Sequence, residues 1–136
     1  MQYWGYMEMK TYTIKNVLIV DDSATMRMLI SMSIRRIMDS IRITEAENGL
    51  TALSLMKQQD FDLVFTDMQM PEMDGGSLIQ RIREHVSKDL PVIIITTQGE
   101  EHARDLGLSK GANGYLIKPV NTHELRDAVM RYLGRG

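Results

Sequence analysis

The chain alternates between short apolar runs and longer segments whose apolar residues recur at helical spacing. Residues 17–20, 63–65 and 92–95 are apolar throughout, which is typical of strands buried on both faces of a parallel sheet. Residues 41–45 alternate between apolar and polar and predict a half-exposed strand, and residues 115–117 predict a shorter last strand. The pattern therefore predicts five β-strands.

A helix is predicted after each of these strands. In most of them, residues that recur three or four positions apart form a stripe along one face of the helix. The stripes are Met26, Leu29, Ile30, Ser33 and Ile37; Ala52, Leu53 and Met56; Leu78, Ile79, Ile82 and Val86; and Leu125, Ala128, Val129, Tyr132 and Leu133. A further, polar helix is predicted over residues 100–110. The predicted capping and turn positions are Asp22 or Ser23 before the first helix, Asn48-Gly49 before the second, Gly111 after the fourth, and Asn121 or Thr122 before the last.

Strict alternation of strands and helices implies a parallel sheet with helices on both faces, joined by right-handed crossovers. The predicted fold class is therefore α/β, a doubly wound sheet of five parallel strands. The first, third and fourth strands are the most apolar and are expected at the centre, whereas the last suits an edge. Residues 16–134 are expected to form this domain. Residues 1–15 are crowded with aromatic residues and are interpreted as an N-terminal extension, either disordered or not native.

Composition narrows the class of protein. The 136 residues suit one domain, and 43% hydrophobic and 25% charged residues are ordinary for a globular domain. A net charge of −2 does not indicate a nucleic-acid surface, and no apolar run approaches the roughly 20 residues needed to cross a bilayer. The chain has no cysteine, which excludes disulfides and thiolate metal sites and is consistent with a reducing cytoplasm.

Polar residues stand where four of the predicted strands end. Asp21 and Asp22 follow the first strand, Asp67 the third, Thr96 the fourth and Lys118 the fifth. The carboxyl ends of parallel strands share one edge of a sheet, where open α/β sheets bind ligands. We therefore expect these side chains to converge.

Three converging carboxylates repel one another, and a divalent cation with oxygen ligands would remove the conflict. Mg²⁺ fits this donor set, and it would also bridge Asp67 to an incoming phosphoryl group. Phosphoryl transfer needs an in-line nucleophile and positive charge on the phosphoryl oxygens. Asp67 is predicted to be the nucleophile, with charge from the metal and Lys118 and a hydrogen bond from Thr96.

Each of these residues also has a structural explanation on its own. The pair Asp21-Asp22 could cap the following helix, and Asp67 could be a turn residue ahead of Pro71. A lone Lys118 would most often be solvated. Their joint placement on different strand ends, with complementary charges, favours the functional interpretation.

The motifs V-D-D-S-A-T-M-R, T-D-M-Q-M-P-E-M-D-G, P-V-I-I-I-T-T and G-Y-L-I-K-P occur in this order between residues 20 and 119. Together they resemble the receiver domain of two-component response regulators, over residues 16–134, and in particular stand-alone chemotaxis regulators of the CheY kind. The resemblance implies a flavodoxin- and CheY-like fold with strand order 2-1-3-4-5.

The resemblance also implies the roles of the acidic residues. Asp67 corresponds to the phosphoacceptor. Asp22 corresponds to the direct Mg²⁺ ligand and Asp21 to the acid that holds the ion through water. Gln69 stands where the family supplies a backbone carbonyl to the same ion.

Three further positions complete the set that the resemblance implies. Lys118 corresponds to the lysine that contacts the phosphoryl group, ahead of a cis bond to Pro119. Thr96 corresponds to the switch hydroxyl, and Tyr115 to the aromatic residue that moves inward when Thr96 is drawn to the phosphate. The partner-binding face of the switch, here called the output face, would then carry Glu100, Glu101, Arg104, Tyr115, Asn121 and His123.

A single-domain response regulator is the function that these residues imply. It would accept the phosphoryl group from a separate histidine kinase, because His85, His102 and His123 are scattered and are expected on the surface. Transfer and autodephosphorylation would be self-catalysed, so the chain is interpreted as a signalling switch, not an enzyme. The expected partners are the kinase, a downstream target such as a flagellar switch protein, and a phosphatase, in the cytoplasm, without nucleic acid or membrane.

Two departures from the family pattern concern access to Asp67. Thr97 stands where the family most often has alanine, which would narrow the approach to the phosphoryl site. Gln69 and Gln98 occupy variable positions that flank the site. Both are neutral and polar, and they could either position or obstruct an attacking water.

Other protein classes fit the pattern less well. A phosphatase of the haloacid-dehalogenase type needs a second acid where this chain has Gln69, and a cap domain. A receiver-like scaffold without phosphorylation would usually lack one of the acids or the lysine. A flavodoxin-like cofactor binder needs a phosphate-binding loop after the first strand, where Asp21 and Asp22 would repel phosphate.

Overall fold

The computed structural model describes residues 13–134. Its strands are β1 (Lys15–Val20), β2 (Ile41–Ala46), β3 (Leu63–Asp67), β4 (Val92–Thr97) and β5 (Gly114–Lys118). Its helices are α1 (Ala24–Ile37), α2 (Gly49–Gln58), α3 (Gly75–Arg81, continued by a π-helical turn, Ile82–Val86), α4 (Glu101–Lys110) and α5 (Thr122–Leu133). Residues 1–12 of the predicted extension lie outside the described residues. Lys15, at its end, already pairs with Ile41 in the sheet.

All five strands are parallel, and their order is β2-β1-β3-β4-β5. The fold class and the strand order are therefore confirmed, with β1, β3 and β4 in the interior and β5 at an edge. The register places Asp67 opposite Ile95, and Thr97 opposite Lys118. Strand ends that carry the candidate residues are thus brought to one edge of the sheet.

Two apolar cores cover the two faces of the sheet, because successive strand residues point to opposite faces. On one face, α1 and α5 pack against the odd-numbered residues of β1, β3 and β4. The core here contains Val17, Ile19, Ile30, Ile34, Leu63, Phe65, Ile93, Ile95, Leu116, Leu125, Val129 and Leu133. On the other face, α2 and α3 contribute most of the helical residues. The core here contains Leu18, Val20, Ala46, Ala52, Met56, Phe61, Val64, Met68, Leu78, Ile79, Ile82, Leu90, Val92 and Ile94.

The buried stripe of α1 differs from the predicted one. Leu29 is 50% exposed, whereas Ile34 is completely buried. The buried face follows Ile30, Ser31 and Ile34, and Ser33 lies beside it, half-buried. Leu29 and Ile30 are adjacent on the helix, and only the sheet decides which of the two faces inward.

The end of α3 also differs from the prediction. Val86 is 41% exposed because the helix widens into the π-helical turn, where the N–H of Ser87 reaches the carbonyl of Ile82 (2.8 Å). The extra residue in this turn rotates Val86 off the stripe that Leu78, Ile79 and Ile82 form.

Helix capping follows the predicted residue types. Ser23 caps α1, and Asn121 caps α5 through its side-chain oxygen. Gly111 ends α4 with a φ of 118°, a left-handed conformation that suits glycine. Asn48 does more than mark a turn, because it caps α2, which begins at Gly49. Within residues 13–134, the helices fall short of the combined length and apolarity that a membrane span requires.

Candidate functional site

The site is built on the carboxyl end of β3, where Asp67 is the last strand residue. The chain then loops to α3, whose first residue, Gly75, donates its N–H to the carbonyl of Met68 (2.9 Å). A Cβ at Gly75 would collide with the carbonyl oxygen of Asp67. Glycine therefore lets the start of α3 approach the backbone of Asp67 closely.

Asp21, Asp22 and Asp67 meet at this edge of the sheet. Each offers a carboxylate oxygen, and these oxygens lie within 4.8 Å of one another. Asp21 is 1% exposed and Asp67 is 8% exposed, whereas Asp22 is open to solvent. The predicted convergence of the three acids is thus present in the structure.

Lys118 brings the opposing charge from the end of β5. Its Nζ lies 3.3 Å from Asp67 Oδ2 and 3.2 Å from Asp21 Oδ2. The ammonium is only partly exposed, so its charge is less screened than that of a surface lysine. The peptide bond from Lys118 to Pro119 is cis, as the family resemblance implied.

The protonation equilibria reflect this crowding. Burial raises the pKa of Asp67; Lys118 opposes the rise and the neighbouring Asp21 adds to it. For Lys118, burial alone would lower the pKa, but Asp67 and Asp21 outweigh it and hold the pKa above its ordinary value. The lysine is therefore charged at neutral pH, and Asp67 resists ionisation more than a solvated aspartate does.

The two oxygens of Asp67 have different partners. The N–H of Met68 donates to Oδ1 (2.7 Å) and that of Gln69 donates more weakly to the same atom (3.4 Å). Oδ2 faces the ammonium of Lys118 (3.3 Å). These contacts fix the orientation of the carboxylate before any ligand arrives, which lowers the reorganisation that a reaction would need.

The donor set fits a hard divalent cation. Oxygens of three carboxylates are the type of ligand that Mg²⁺ takes in proteins. Asp21 Oδ1 accepts the N–H of Ser23 (2.8 Å), but Asp21 Oδ2 is buried and accepts no hydrogen bond. The ammonium of Lys118, 3.2 Å away, is the positive group that compensates the charge of this oxygen.

The two predicted switch residues lie on the neighbouring strands. Thr96 is 2% exposed and follows Ile95, the residue that pairs with Asp67 in the sheet. Tyr115 on β5 is 41% exposed and points outward, with Arg104 of α4 over its ring. The structure therefore brings together the acids and the lysine, places Thr96 on the adjacent strand end, and places Tyr115 on the surface.

Three residues around the site were not predicted to support it. Arg27 donates to the carbonyl of Asp21 (2.6 Å) and to Glu45 Oε1 (2.8 Å), so α1 and β2 hold the first acidic loop. The carboxylate of Glu100 accepts the N–H of Thr97 (3.0 Å) and stabilises the loop after β4. Arg27 belongs to the motif V-D-D-S-A-T-M-R, which is the one sequence signal that could have identified it.

The remaining predicted positions are on the surface. Thr97, Gln69 and Gln98 are exposed. His85, His102 and His123 are exposed as well, which confirms the surface position predicted for them.

Comparison with known proteins agrees with this geometry. The family model of the response regulator receiver domain matches residues 17–130. A chemotaxis protein CheY homolog from Campylobacter jejuni is 36% identical over 122 residues, which is 88% of this chain and 93% of the relative.

Solved structures give the same result. A putative response regulator from Chloroflexus aurantiacus superposes with a TM-score of 0.83 at 32% identity, covering 90% of this chain and 100% of that one. The receiver domain of a sensor histidine kinase from Pseudomonas aeruginosa, solved with a magnesium ion coordinated in its active site cleft, superposes with a TM-score of 0.80 at 27% identity, covering 90% and 99%. This chain therefore belongs to the receiver-domain family of two-component response regulators.

Proposed function

We propose that the protein is a single-domain response regulator that accepts a phosphoryl group on Asp67 from a histidine kinase, with Mg²⁺, and then changes the shape of its output face. In this proposal residues 16–134 are the receiver domain and residues 1–15 an extension. One observation carries the proposal: the carboxylates of Asp21, Asp22 and Asp67 lie within 4.8 Å of one another, with the ammonium of Lys118 3.3 Å from Asp67.

The proposed reaction moves a phosphoryl group from a histidine nitrogen of the kinase to a carboxylate oxygen of Asp67. A carboxylate oxygen of Asp67 forms a new P–O bond, the P–N bond of the donor phosphohistidine breaks, and its electron pair stays on the imidazole nitrogen. Nothing is oxidised or reduced. The backbone N–H groups of Met68 and Gln69 hold Asp67 Oδ1 in place, which aligns the nucleophile before the donor arrives.

Lys118 and Thr96 are the proposed catalytic partners of Asp67. The ammonium already lies between Asp67 and Asp21. From there it can stabilise the negative charge that develops on the phosphoryl oxygens during transfer. Thr96 stands on the next strand end, with a hydroxyl that can donate to the same group.

The proposed metal ligands are Asp21, Asp22, Asp67 and the backbone carbonyl of Gln69. When bound, Mg²⁺ would neutralise charge on the acids and on the phosphoryl oxygens. The buried Asp21 Oδ2, which accepts no hydrogen bond, supports this assignment. The magnesium ion coordinated in the cleft of the Pseudomonas aeruginosa receiver domain supports it as well.

The proposed output is a two-state switch. Thr96 moves toward the new phosphoryl group, and Tyr115 moves into the vacated space, which biases an equilibrium that already exists in the resting protein. Partners would read the output face on α4, β5 and the start of α5. Because the Campylobacter jejuni relative is named a chemotaxis protein, we propose a chemotaxis-type pathway with a flagellar switch protein as target. A phosphatase in the same pathway and a cytoplasmic location belong to this proposal.

The direct test is chemical labelling. The purified protein is incubated with acetyl phosphate and Mg²⁺ and its intact mass is measured, with and without hydroxylamine, which cleaves acyl phosphates. We expect one phosphoryl group per chain, lost on hydroxylamine treatment and absent without Mg²⁺. Asp67→Asn should remain unlabelled, whereas Asp60→Asn, a matched change of an exposed aspartate, should be labelled like the wild type.

Three outcomes would contradict the proposal. An unlabelled wild-type protein that keeps its fold would indicate a receiver scaffold that does not transfer phosphate. Labelling that persists in Asp67→Asn would place the acceptor elsewhere. Continuous release of phosphate from an added phosphomonoester would point to a hydrolase, since a receiver takes its phosphoryl group from an activated donor.

A further inference from the structure

We propose that Arg104 is a positioning residue that holds Tyr115 in its outward orientation in the unphosphorylated protein, and so sets the resting balance of the switch. This inference rests on the proposed function, because it concerns the regulation of the switch role of Tyr115. It adds a residue on α4 that acts through the aromatic ring and not through Asp67.

The contact between the two side chains is specific in geometry. The guanidinium carbon of Arg104 lies 4.9 Å from the centroid of the Tyr115 ring, within the range of a cation–π interaction. Arg104 Nε also donates to Asp105 Oδ1 (3.1 Å), which fixes the rotation of the guanidinium. The Arg104 side chain is 25% exposed, less than expected of a freely solvated arginine.

The backbone that carries Arg104 is itself anchored to the end of β4. Glu100 donates its N–H to the carbonyl of Thr97 (3.1 Å) and accepts the N–H of Thr97 on Oε1 (3.0 Å). The N–H of Arg104 then donates to the carbonyl of Glu100 (3.1 Å). The position of the guanidinium is thus coupled to the strand end on which Thr96 stands.

This arrangement opposes the inward movement of Tyr115. The outward ring is 41% exposed, and moving inward would bury more of its apolar surface, which is favourable. However, when the Tyr115 ring moves inward, it loses its cation–π contact with Arg104, which is unfavourable. At a partly exposed site such a contact has a strength that corresponds to about a two- to fivefold change in the ratio of outward to inward rings.

The test compares three variants in the unphosphorylated protein with Mg²⁺ present. Arg104→Met removes the cation and keeps a long apolar side chain, and Arg104→Lys keeps a cation. Arg126→Met makes the same chemical change at an exposed arginine on α5. Tyrosines are labelled with 3-fluorotyrosine, Tyr115 is assigned through Tyr115→Phe, and its inward fraction is measured from the fluorine shift and its sensitivity to solvent.

We expect Arg104→Met to raise the ratio of inward to outward rings about two- to fivefold, because the contact that favours the outward ring is gone. Arg104→Lys should retain part of the outward bias, and Arg126→Met should match the wild type. The thermal midpoint should be nearly the same in all four proteins, which separates a positioning role from a general loss of stability.

The inference is overturned if Arg104→Met leaves the ring populations unchanged, or if Arg126→Met changes them equally. Labelling by acetyl phosphate distinguishes this failure from failure of the proposed function. If the wild type is labelled on Asp67 and the ring does not respond to Arg104, only the role of Arg104 is wrong. If Asp67 is never labelled, the proposed function itself is wrong.

Discussion

The two helices that flank β5 are seated at very different depths. Helix α5, of 12 residues, buries Leu125, Val129 and Leu133 against the sheet. Helix α4, of 10 residues, has a single buried residue, Gly107. Both helices are connected to the same edge strand, so the difference lies in their sequences. Helix α5 is anchored to the sheet by large apolar side chains, whereas the buried residue of α4 is a glycine, which has no side chain to bury.

The shallow seat of α4 fits the role proposed for this side of the molecule. A helix that buries few apolar groups can shift at a small cost in free energy, whereas one that buries three large residues cannot. The cluster of acidic side chains lies away from α4, at the ends of buried strands, where Asp67 and Asp21 are themselves buried. The molecule thus combines a deeply buried acidic site with a helix, α4, that buries few apolar groups.

The largest expected effect is on the stability contribution of the two helices. Leu125 is 1% exposed and Leu106, on α4, is 45% exposed. Leu125→Ala should lower the free energy of unfolding by about 3 kcal/mol, because it leaves a cavity in the core. Leu106→Ala, the same chemical change on α4, should cost less than about 1 kcal/mol. Urea denaturation of both variants measures the difference.

Equal losses in the two variants would refute the idea that the helices differ in depth. The m-values should stay close to that of the wild type, since neither change is expected to alter the surface exposed on unfolding. A lower m-value in Leu106→Ala alone would instead indicate that α4 unfolds before the rest of the domain.

A second comparison concerns two buried glycines in helices. A Cβ at Gly107 would press on the side chains of Ile94 and Met68, whereas a Cβ at Gly76, in α3, would make ordinary contacts of 3.5 Å and more. Alanine favours helix over glycine by about 1 kcal/mol. Gly76→Ala should therefore stabilise the protein by up to about 1 kcal/mol, and Gly107→Ala should destabilise it by about 1 kcal/mol or more because of overpacking.

Thermal unfolding of these two glycine variants, with the wild type as reference, measures both signs. Stabilisation by Gly107→Ala would mean that α4 moves outward without cost and that the contact with Ile94 and Met68 does not hold it. In that event hydrogen exchange along α4 should increase, since the helix would have left its seat on the sheet.

The contrast between α5 and α4 was already visible in the sequence, and so was most of the site. Apolar stripes recur along α5 and are missing from residues 100–110, and this difference survives in the structure. The convergence of Asp21, Asp22, Asp67 and Lys118 followed from a general rule, because residues at the ends of parallel strands share an edge. Strand order required the family resemblance, since alternation of strands and helices allows several orders.

The sequence could not supply features that depend on contacts between elements. Leu29 and Ile34 both fit a helical stripe around Ile30, and the predicted stripe included the exposed Leu29 and omitted the buried Ile34 because a period of 3.6 residues leaves the edges of a stripe ambiguous. The π-helical turn before Ser87 has no sequence signal. The stacking of Arg104 on Tyr115 joins α4 to β5 across a helix end and a loop, and only coordinates show that the two side chains meet.

The smallest effect concerns the acidic site itself, where burial of Asp67 should cost stability. Because the folded protein holds the proton of Asp67 more tightly than the unfolded chain, ionised Asp67 disfavours folding above its raised pKa. This cost disappears as the pH falls through the raised pKa towards the ordinary value of 3.8. Without Mg²⁺, Asp67→Asn should therefore have a higher free energy of unfolding than the wild type at neutral pH.

Acidification tests the cause of this difference. Chemical denaturation at a series of pH values should show the Asp67→Asn advantage shrinking as the pH drops, since protonated aspartic acid and asparagine carry the same charge. Mg²⁺ at neutral pH should also reduce the advantage, because a bound cation relieves the carboxylates of the wild type. A stability advantage of Asp67→Asn that stayed constant across pH would arise from packing. In that case the charge of Asp67 would not destabilise the folded protein.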